Sequence, residues 1–532
     1  MAMHPGKLEP TSWGLNTRCS DAKAYPPSDE GVLLRRWILP ATLGPVDPAD
    51  LTVAEPTPRS AEDWHRLGRQ RQLEGDGEAA EAAYRQALVL EPGYLRSLNN
   101  LAVLAMGRFQ PEQAEQWLQR GLAAVREWSD PAAPLLLNSL CQLRLQQQRP
   151  AEALVVARQL VQLAPEPASW SNLAVALKWS GQPQAAHSAQ ALALGAPQHD
   201  PLLALWRPAG DAQASASRHV QLQNLATMEL ALDPWRRRGW QLLQARLACR
   251  PGHWQPELAP PPWQGLWTGA GVEELLVWDE QGYGDAIQAL RWLPAAAARC
   301  RHLQLWLRPE LERLVRRRLP LPSHGRITLL RADAAPWQQG LPHIPLMSLP
   351  LALGLEGSTL AAGPGLQRLQ APPPAAGRPR RLGLVWAAGR KQEVEADRHA
   401  RSRSLRLAEL MTVLAPRVRR GELRLQALQV GPDAAEAQSF AGLLAAPPPL
   451  ADWEATAALL EQLDGVISVD TAVAHLAGSL GLPTLLLLET PCDWRWGASG
   501  TTTPWYASVR LVRRQGGERW GQLLDQALDS QP

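Results

Sequence analysis

The chain has 532 residues, with 54 lysines and arginines against 51 aspartates and glutamates, for a formal net charge of +3. That length is too great for one hydrophobic core and predicts three or four domains, while the near-neutral balance gives no electrostatic case for a nucleic-acid or other polyanionic partner. Five cysteines (Cys19, Cys141, Cys249, Cys300, Cys492), none in a CxxC pair, argue against a zinc site or a disulfide framework and fit a reducing compartment.

The first thirty residues lack a basic-then-apolar signal pattern, and no apolar run approaches the ~18 residues that cross a bilayer. A soluble, cytoplasmic protein is expected, with peripheral membrane contact left open. Residues 1–58 are rich in Pro, Gly, Ser, Asp and Thr and predict a poorly ordered N-terminal arm.

From Ala61 the pattern becomes helical and repetitive. Trp64, Leu67, Gly68, Ala80, Tyr84, Ala87 and Pro92 occupy the positions that a 34-residue helix–turn–helix repeat needs, and Leu98-Asn99-Asn100-Leu101-Ala102 returns as Trp170-Ser171-Asn172-Leu173-Ala174. Residues 59–200 are therefore expected to form an α-helical solenoid of four tetratricopeptide-like repeats with a concave surface that can take a protein or peptide partner. Asn100 and Asn172 are candidates for holding a peptide backbone there, or equally for bridging helices. Residues 201–270, with helical stretches at Val220–Leu232 and Trp235–Leu247 and then PELAPPPW, predict a helical joint and proline-rich linker.

Residues 271–370 alternate strand and helix, which predicts a parallel, doubly wound sheet. Its first strand, Glu274–Trp278, runs into DEQGYGDAIQALRWLP. Gly282 and Gly284 are expected to permit the tight strand-to-helix turn. Asp285 reads from spacing alone as a helix cap. The arginine runs Arg236–Arg238 and Arg316–Arg318 read as solvated faces. Leu360–Gly377 predicts an interdomain linker.

Residues 371–532 predict a second α/β domain. Strand Leu382–Trp386 is followed by AAGRKQ and a charged loop, with Ser404 positioned to begin a helix; strand Leu423–Val430 ends near Gln429. The key stretch is DGVISVDTAVAHLAGSLGLPTLLLL, in which a buried strand ends at Asp470 and Thr471 and a helix carrying His475 begins. Polar residues at the carboxyl end of a parallel strand lie where such sheets bind ligands, and a helix amino end attracts phosphate. Asp470 and Thr471 read equally well as caps, and His475 as a partly buried histidine. Asp493-Trp494-Arg495-Trp496 and Trp505-Tyr506 follow; their tryptophans would stack on a base or close the rim.

EQGYGDAIQALRWLP, the Trp386 phrase with its arginine-serine loop, and VDTAVAHLAGSLGLPTLLLL followed by DWRW together resemble the ADP-heptosyltransferase-like glycosyltransferases of family nine. The likeness is to bacterial members fused to tetratricopeptide repeats. The resemblance implies a solenoid followed by two Rossmann-like domains in the GT-B arrangement, and transfer of a sugar from a nucleotide-diphosphate donor with inversion. No metal and no cofactor beyond that co-substrate are implied, and the acceptor is undefined. It assigns Asp285 as catalytic base. Gly284, Gln288, Lys391, Arg401, Arg403, Gln429, Asp470, Thr471, His475, Asp493 and Arg495 become candidates for substrate contact. Ala472 where the family often has glycine, and the altered Trp386-Ala387-Ala388-Gly389 phrase, leave a second expectation: a non-catalytic repeat scaffold with a degenerate nucleotide- or sugar-binding domain.

Overall fold

The computed structural model describes residues 58–195, 212–249, 266–320, 326–331, 333–334, 340–361, 365–369, 377–389, 403–515 and 518–530. The expected N-terminal arm up to residue 57, the phrase PELAPPPW, Lys391, Arg401 and most of the charged loop lie outside them. The chain divides into two compact units, whose boundary falls between Met228 and Glu229.

The first unit is the solenoid. Its helices are α1 (Ala61–Leu73), α2 (Gly77–Leu90), α3 (Leu95–Gly107), α4 (Pro111–Ala124), α5 (Ala133–Gln146), α6 (Pro150–Leu163), α7 (Pro167–Trp179) and α8 (Pro183–Ala193). Proline at the first helical position opens α4, α6, α7 and α8, where its missing N–H costs nothing. Within the first pair the helices touch at Gly68: a Cβ there would lie 2.5 Å from Cε1 of Tyr84. Tyr84 is fully buried, donates to Gln72 Oε1 at 2.7 Å and accepts from Asn100 Nδ2 at 3.0 Å. The inner helices are joined by further polar pairs: Ser139 Oγ to Asn99 Oδ1 at 2.7 Å, His65 Nδ1 with Ser97 Oγ at 3.2 Å, and Asn172 Nδ2 to Asn138 Oδ1. Asn100 and Asn172 thus bridge helices, because both are buried between repeats.

The second unit begins within helix α9 (Ala212–Leu232) and continues through α10 (Arg237–Leu243) and a helical turn at Arg246–Cys249. It then builds two parallel sheets. The front lobe contains β1 (Val272–Trp278), α11 (Tyr283–Ala289), β2 (Cys300–Trp306), α12 (Pro309–Arg318), β3 (Arg326–Leu329) and β4 (His343–Pro345), in the order β3-β2-β1-β4. The rear lobe contains β5 (Arg380–Val385), α13 (Leu407–Arg419), β6 (Leu423–Ala427), β7 (Leu444–Ala445), α14 (Trp453–Leu460), β8 (Gly465–Val469), α15 (Ala472–Ser479), β9 (Thr484–Glu489), β10 (Val509–Arg514) and α16 (Trp520–Asp529). Its order, β10-β9-β8-β5-β6-β7, is that of a doubly wound dinucleotide-type sheet with its crossover point between β5 and β8. All pairings between these strands are parallel. Strands such as β8, every residue of which is buried, are almost wholly apolar because helices cover both faces. Two Rossmann-like lobes in sequence constitute the GT-B arrangement.

The lobes meet in buried ion pairs. Arg318 at the end of α12 is 1% exposed and reaches both Glu454 and Glu461 of the α14 segment, with Nε–Oε2 2.5 Å to Glu454 and Nη1–Oε1 2.7 Å to Glu461. A run read as solvated therefore supplies an interlobe bolt. The segment expected as a linker is pinned as well: Leu366 N–H donates to Ser479 O and Gln367 N–H to Arg318 O. Trp240 of α10 packs edge-on against Trp292 of the front lobe and Trp494 of the rear, at 5.7 and 5.6 Å between ring centroids. Among the described residues no helix is long and apolar enough to cross a membrane.

Candidate active site between the two sheets

The front lobe contributes the loop from β1 into α11. The left-handed residue of that turn is Gln281, at φ 60°, whereas Gly282 sits at φ −84°. Gly284 matters for a different reason: a Cβ on it would come within 2.8 Å of His475 Cδ2 and 3.5 Å of Ala472 Cα. A glycine at the amino end of α11 lets the front lobe lie directly on the amino end of α15.

Asp285 follows. Its Oδ2 accepts from the Gly282 N–H at 2.9 Å, so it does cap α11, and its other oxygen makes an ion pair with Arg495. Arg495 is 3% exposed. Its Nε donates to Gln288 Oε1 at 2.7 Å and its Nη1 to Asp493 Oδ1 at 3.0 Å, and its guanidinium lies 4.3 Å from the Trp494 ring centroid. Four of the residues singled out in sequence (Asp285, Gln288, Asp493 and Arg495) are thus one cluster bridging the lobes. Arg291, which the sequence did not single out, reinforces it by donating to Trp505 O at 3.0 Å, its guanidinium 4.8 Å from the Tyr506 ring.

On the rear lobe, Asp470 and Thr471 lie between β8 and α15, at the sheet's crossover point. Asp470 pairs with Arg403 at 3.2 Å, and Arg403 also reaches the Asp470 carbonyl. Thr471 is the residue before α15, yet its hydroxyl meets Ser468 Oγ at 3.0 Å and makes no capping bond. His475, one turn into α15, is 4% exposed, hydrogen-bonds Tyr506 through Nδ1 at 2.9 Å and stacks on Trp496 at 4.8 Å. Burial pulls its pKa down to about 4, against the opposing pull of Asp470, so the ring is neutral at pH 7. It serves as a hydrogen-bonding group and not as a cation.

Two expectations are corrected. Gln429 turns to the backbone: its Oε1 accepts from the N–H groups of Trp386 and Ala387 at 3.2 and 2.9 Å, and its Nε2 donates to Val430 O at 3.1 Å. These bonds shape the exit from β5. Ser404 does not start α13, whose cap position is Arg406; its hydroxyl accepts from Ala388 N–H at 3.0 Å. Trp494, Trp496 and Trp505 are all 4% exposed or less, which makes them packing groups at the lobe junction and not open stacking platforms.

The carboxyl end of the front sheet is filled from the joint. Arg246 pairs with the fully buried Glu280 at 3.0 Å through Nε and donates to Ser348 Oγ at 2.9 Å, and Arg308 pairs with Asp279 at 2.6 Å. An open hollow of about 490 Å³ beside Gly271, Glu273, Arg299 and Arg301 lies at the opposite, amino-terminal edge of β1 and β2, away from these groups. Among the described residues no three His, Cys, Asp or Glu side chains converge as metal ligands.

No protein-family model matches the chain, and no curated protein matches it in sequence. Similar solved structures include the E. coli heptosyltransferase WaaC with ADP, 13% identical over 48% of this chain and 99% of that one, with a TM-score of 0.34. The glycosyl transferase family 9 from Veillonella parvula is 11% identical over 50% of this chain and 91% of that one, at 0.34. Pseudomonas aeruginosa pilF is 22% identical over 31% of this chain and 76% of that one, at 0.25. What the site can do follows from its own side chains.

Proposed function

We infer that the protein is a glycosyltransferase that moves a sugar from a nucleotide-diphosphate donor to an acceptor hydroxyl. The observation that carries this reading is the meeting of the Gly284–Asp285 turn of one lobe with the amino end of α15 and Arg495 in the other, at the crossover point of the rear sheet. The Ala472 and Val473 amides at the start of α15 and the helix dipole suit a diphosphate, and Arg403, already at the Asp470 end of β8, adds a cation. Asp285 accepts the acceptor's hydroxyl proton as that oxygen bonds to the anomeric carbon. The bond from that carbon to the phosphate oxygen breaks in the same displacement, and the nucleoside diphosphate leaves with both electrons. One displacement inverts the anomeric centre. Lys391 and Arg401 join the diphosphate contacts in this reading, and Asp493 acts through Arg495. No metal or resident cofactor takes part, and the site of action is cytoplasmic. The repeats recruit a protein partner or position the acceptor.

The test is a calorimetric and thermal-shift screen of the full-length protein against ADP-, UDP- and GDP-sugars, followed by assay of donor turnover. Turnover that disappears in Asp285→Ala while the nucleotide still binds is the expected result. Absence of any nucleotide-dependent shift would sink the proposal. The alternative, a non-catalytic repeat scaffold whose lobes bind a nucleotide or sugar without turnover, is favoured by one observation: the Asp285 carboxylate is already engaged by Arg495 and by its own helix.

A further inference from the structure

Arg495 concentrates a positive charge where both lobes converge. A guanidinium presents five N–H donors in a planar fork that fits carboxylate and phosphate equally well. Here the fork is shared among Asp285, Asp493 and the Gln288 side-chain oxygen. Gln288 is fully buried, and its Nε2 donates to no acceptor among the described residues. A polar donor in that position points to an acceptor atom that the described residues do not supply.

A carboxylate oxygen held by a buried guanidinium is a poor proton acceptor, since protonation gives up a charge-assisted bond and leaves the cation less compensated. Yet the same cation stands beside the phosphate-attracting end of α15. Trp496, next in sequence, stacks on His475, and Gly284, next to Asp285, touches Ala472.

We propose that Arg495 is a positioning residue that couples Asp285 to donor occupancy. In the donor-free protein it holds the carboxylate. When a nucleoside diphosphate binds, the Nη2 donor passes from Asp285 to a phosphate oxygen while Asp493 retains Nη1, and Asp285 is released to act as base. Gln288 Nε2 then finds its acceptor on the same ligand. This inference rests on the glycosyltransferase reading and adds regulation of its base.

The experiment titrates full-length protein with ADP and, separately, UDP, comparing wild type with Asp285→Asn, Arg495→Lys and Arg495→Gln. Calorimetry gives affinity, and tryptophan fluorescence reports the change of partner at Arg495, whose guanidinium lies over Trp494. Asn keeps the helix-capping oxygen but removes the competing charge, so Asp285→Asn is expected to bind the nucleotide about five-fold tighter. Arg495→Gln is expected to bind about ten-fold more weakly, with partial recovery in Arg495→Lys. A purely architectural Arg495 would give no gain in Asp285→Asn. Equal affinity in wild type and Asp285→Asn, both folded, overturns the coupling but leaves the donor site standing. Failure of both nucleotides to bind either protein overturns the coupling for these donors, and failure of GDP as well overturns the glycosyltransferase reading with it.

Discussion

Gly284 of the front lobe lies so close to His475 of the rear lobe that a Cβ on the glycine would come within 2.8 Å of the imidazole Cδ2. His475 is itself fixed between Trp496 and Tyr506, so it has nowhere to retreat. Gly284→Ala should therefore cost about 1–3 kcal/mol, the usual penalty for overpacking, and Gly284→Val more. Urea melts followed by tryptophan fluorescence would measure this. A neutral Gly284→Ala would mean that the lobes part easily.

Arg318 offers a sharper test of the lobe contact. Arg318→Ala leaves Glu461 buried without its arginine and Glu454 with only the exposed Arg317 at 3.4 Å, and a loss of about 3–5 kcal/mol is expected. Adding Glu454→Gln and Glu461→Gln should restore part of that loss, because the orphaned charges are then gone. If the triple variant is no more stable than Arg318→Ala, charge burial is not the cause.

Acid should weaken the rear lobe in a defined window. Burial holds His475 at about 4, below its unfolded value of 6.5. Between those values the unfolded chain binds a proton that the folded protein refuses, so stability falls as pH drops from 6.5 toward 4 and is unaffected above 7. The slope from one such group is at most about 1.4 kcal/mol per pH unit. His65 in the solenoid, pulled down to about 3 chiefly by burial, adds the same sense of dependence to the other unit. His475→Gln should flatten the pH dependence of the tryptophan-detected transition, whatever it does to stability at pH 7.

In the solenoid, Tyr84→Phe removes the hydroxyl shared by Gln72 and Asn100 and strands both amides in the interior. A cost of about 1–3 kcal/mol is expected, with helix content preserved. Thermal melting followed by circular dichroism on the full-length protein would read it.

Much of the fold could be read along the chain because local chemistry dictates it. Gly68 and Tyr84, a repeated Leu-Asn-Asn-Leu-Ala-like phrase and prolines at helix starts specify a helical array through contacts between neighbouring turns. Apolar runs such as those of β8 and β9 specify parallel strands because both faces are covered. The three-residue β4, lying between prolines, carries no such signal and appears only because β1 needs a partner on that side.

Within the candidate site, the sequence by itself determined the residue types and their places: carboxylate after a strand-to-helix turn, helix amino end after β8, arginine among tryptophans. Only the tertiary structure decided who holds whom. Arg495 meets Asp285, Arg318 meets Glu454 and Glu461, and Gln429 turns inward to the backbone, in partnerships up to 210 residues apart, taking Asp285 and Arg495 at their positions in the chain. No pattern along the chain encodes such pairings, because a long-range ion pair leaves no periodicity behind. It follows from how two lobes, each specified locally, come to rest against one another.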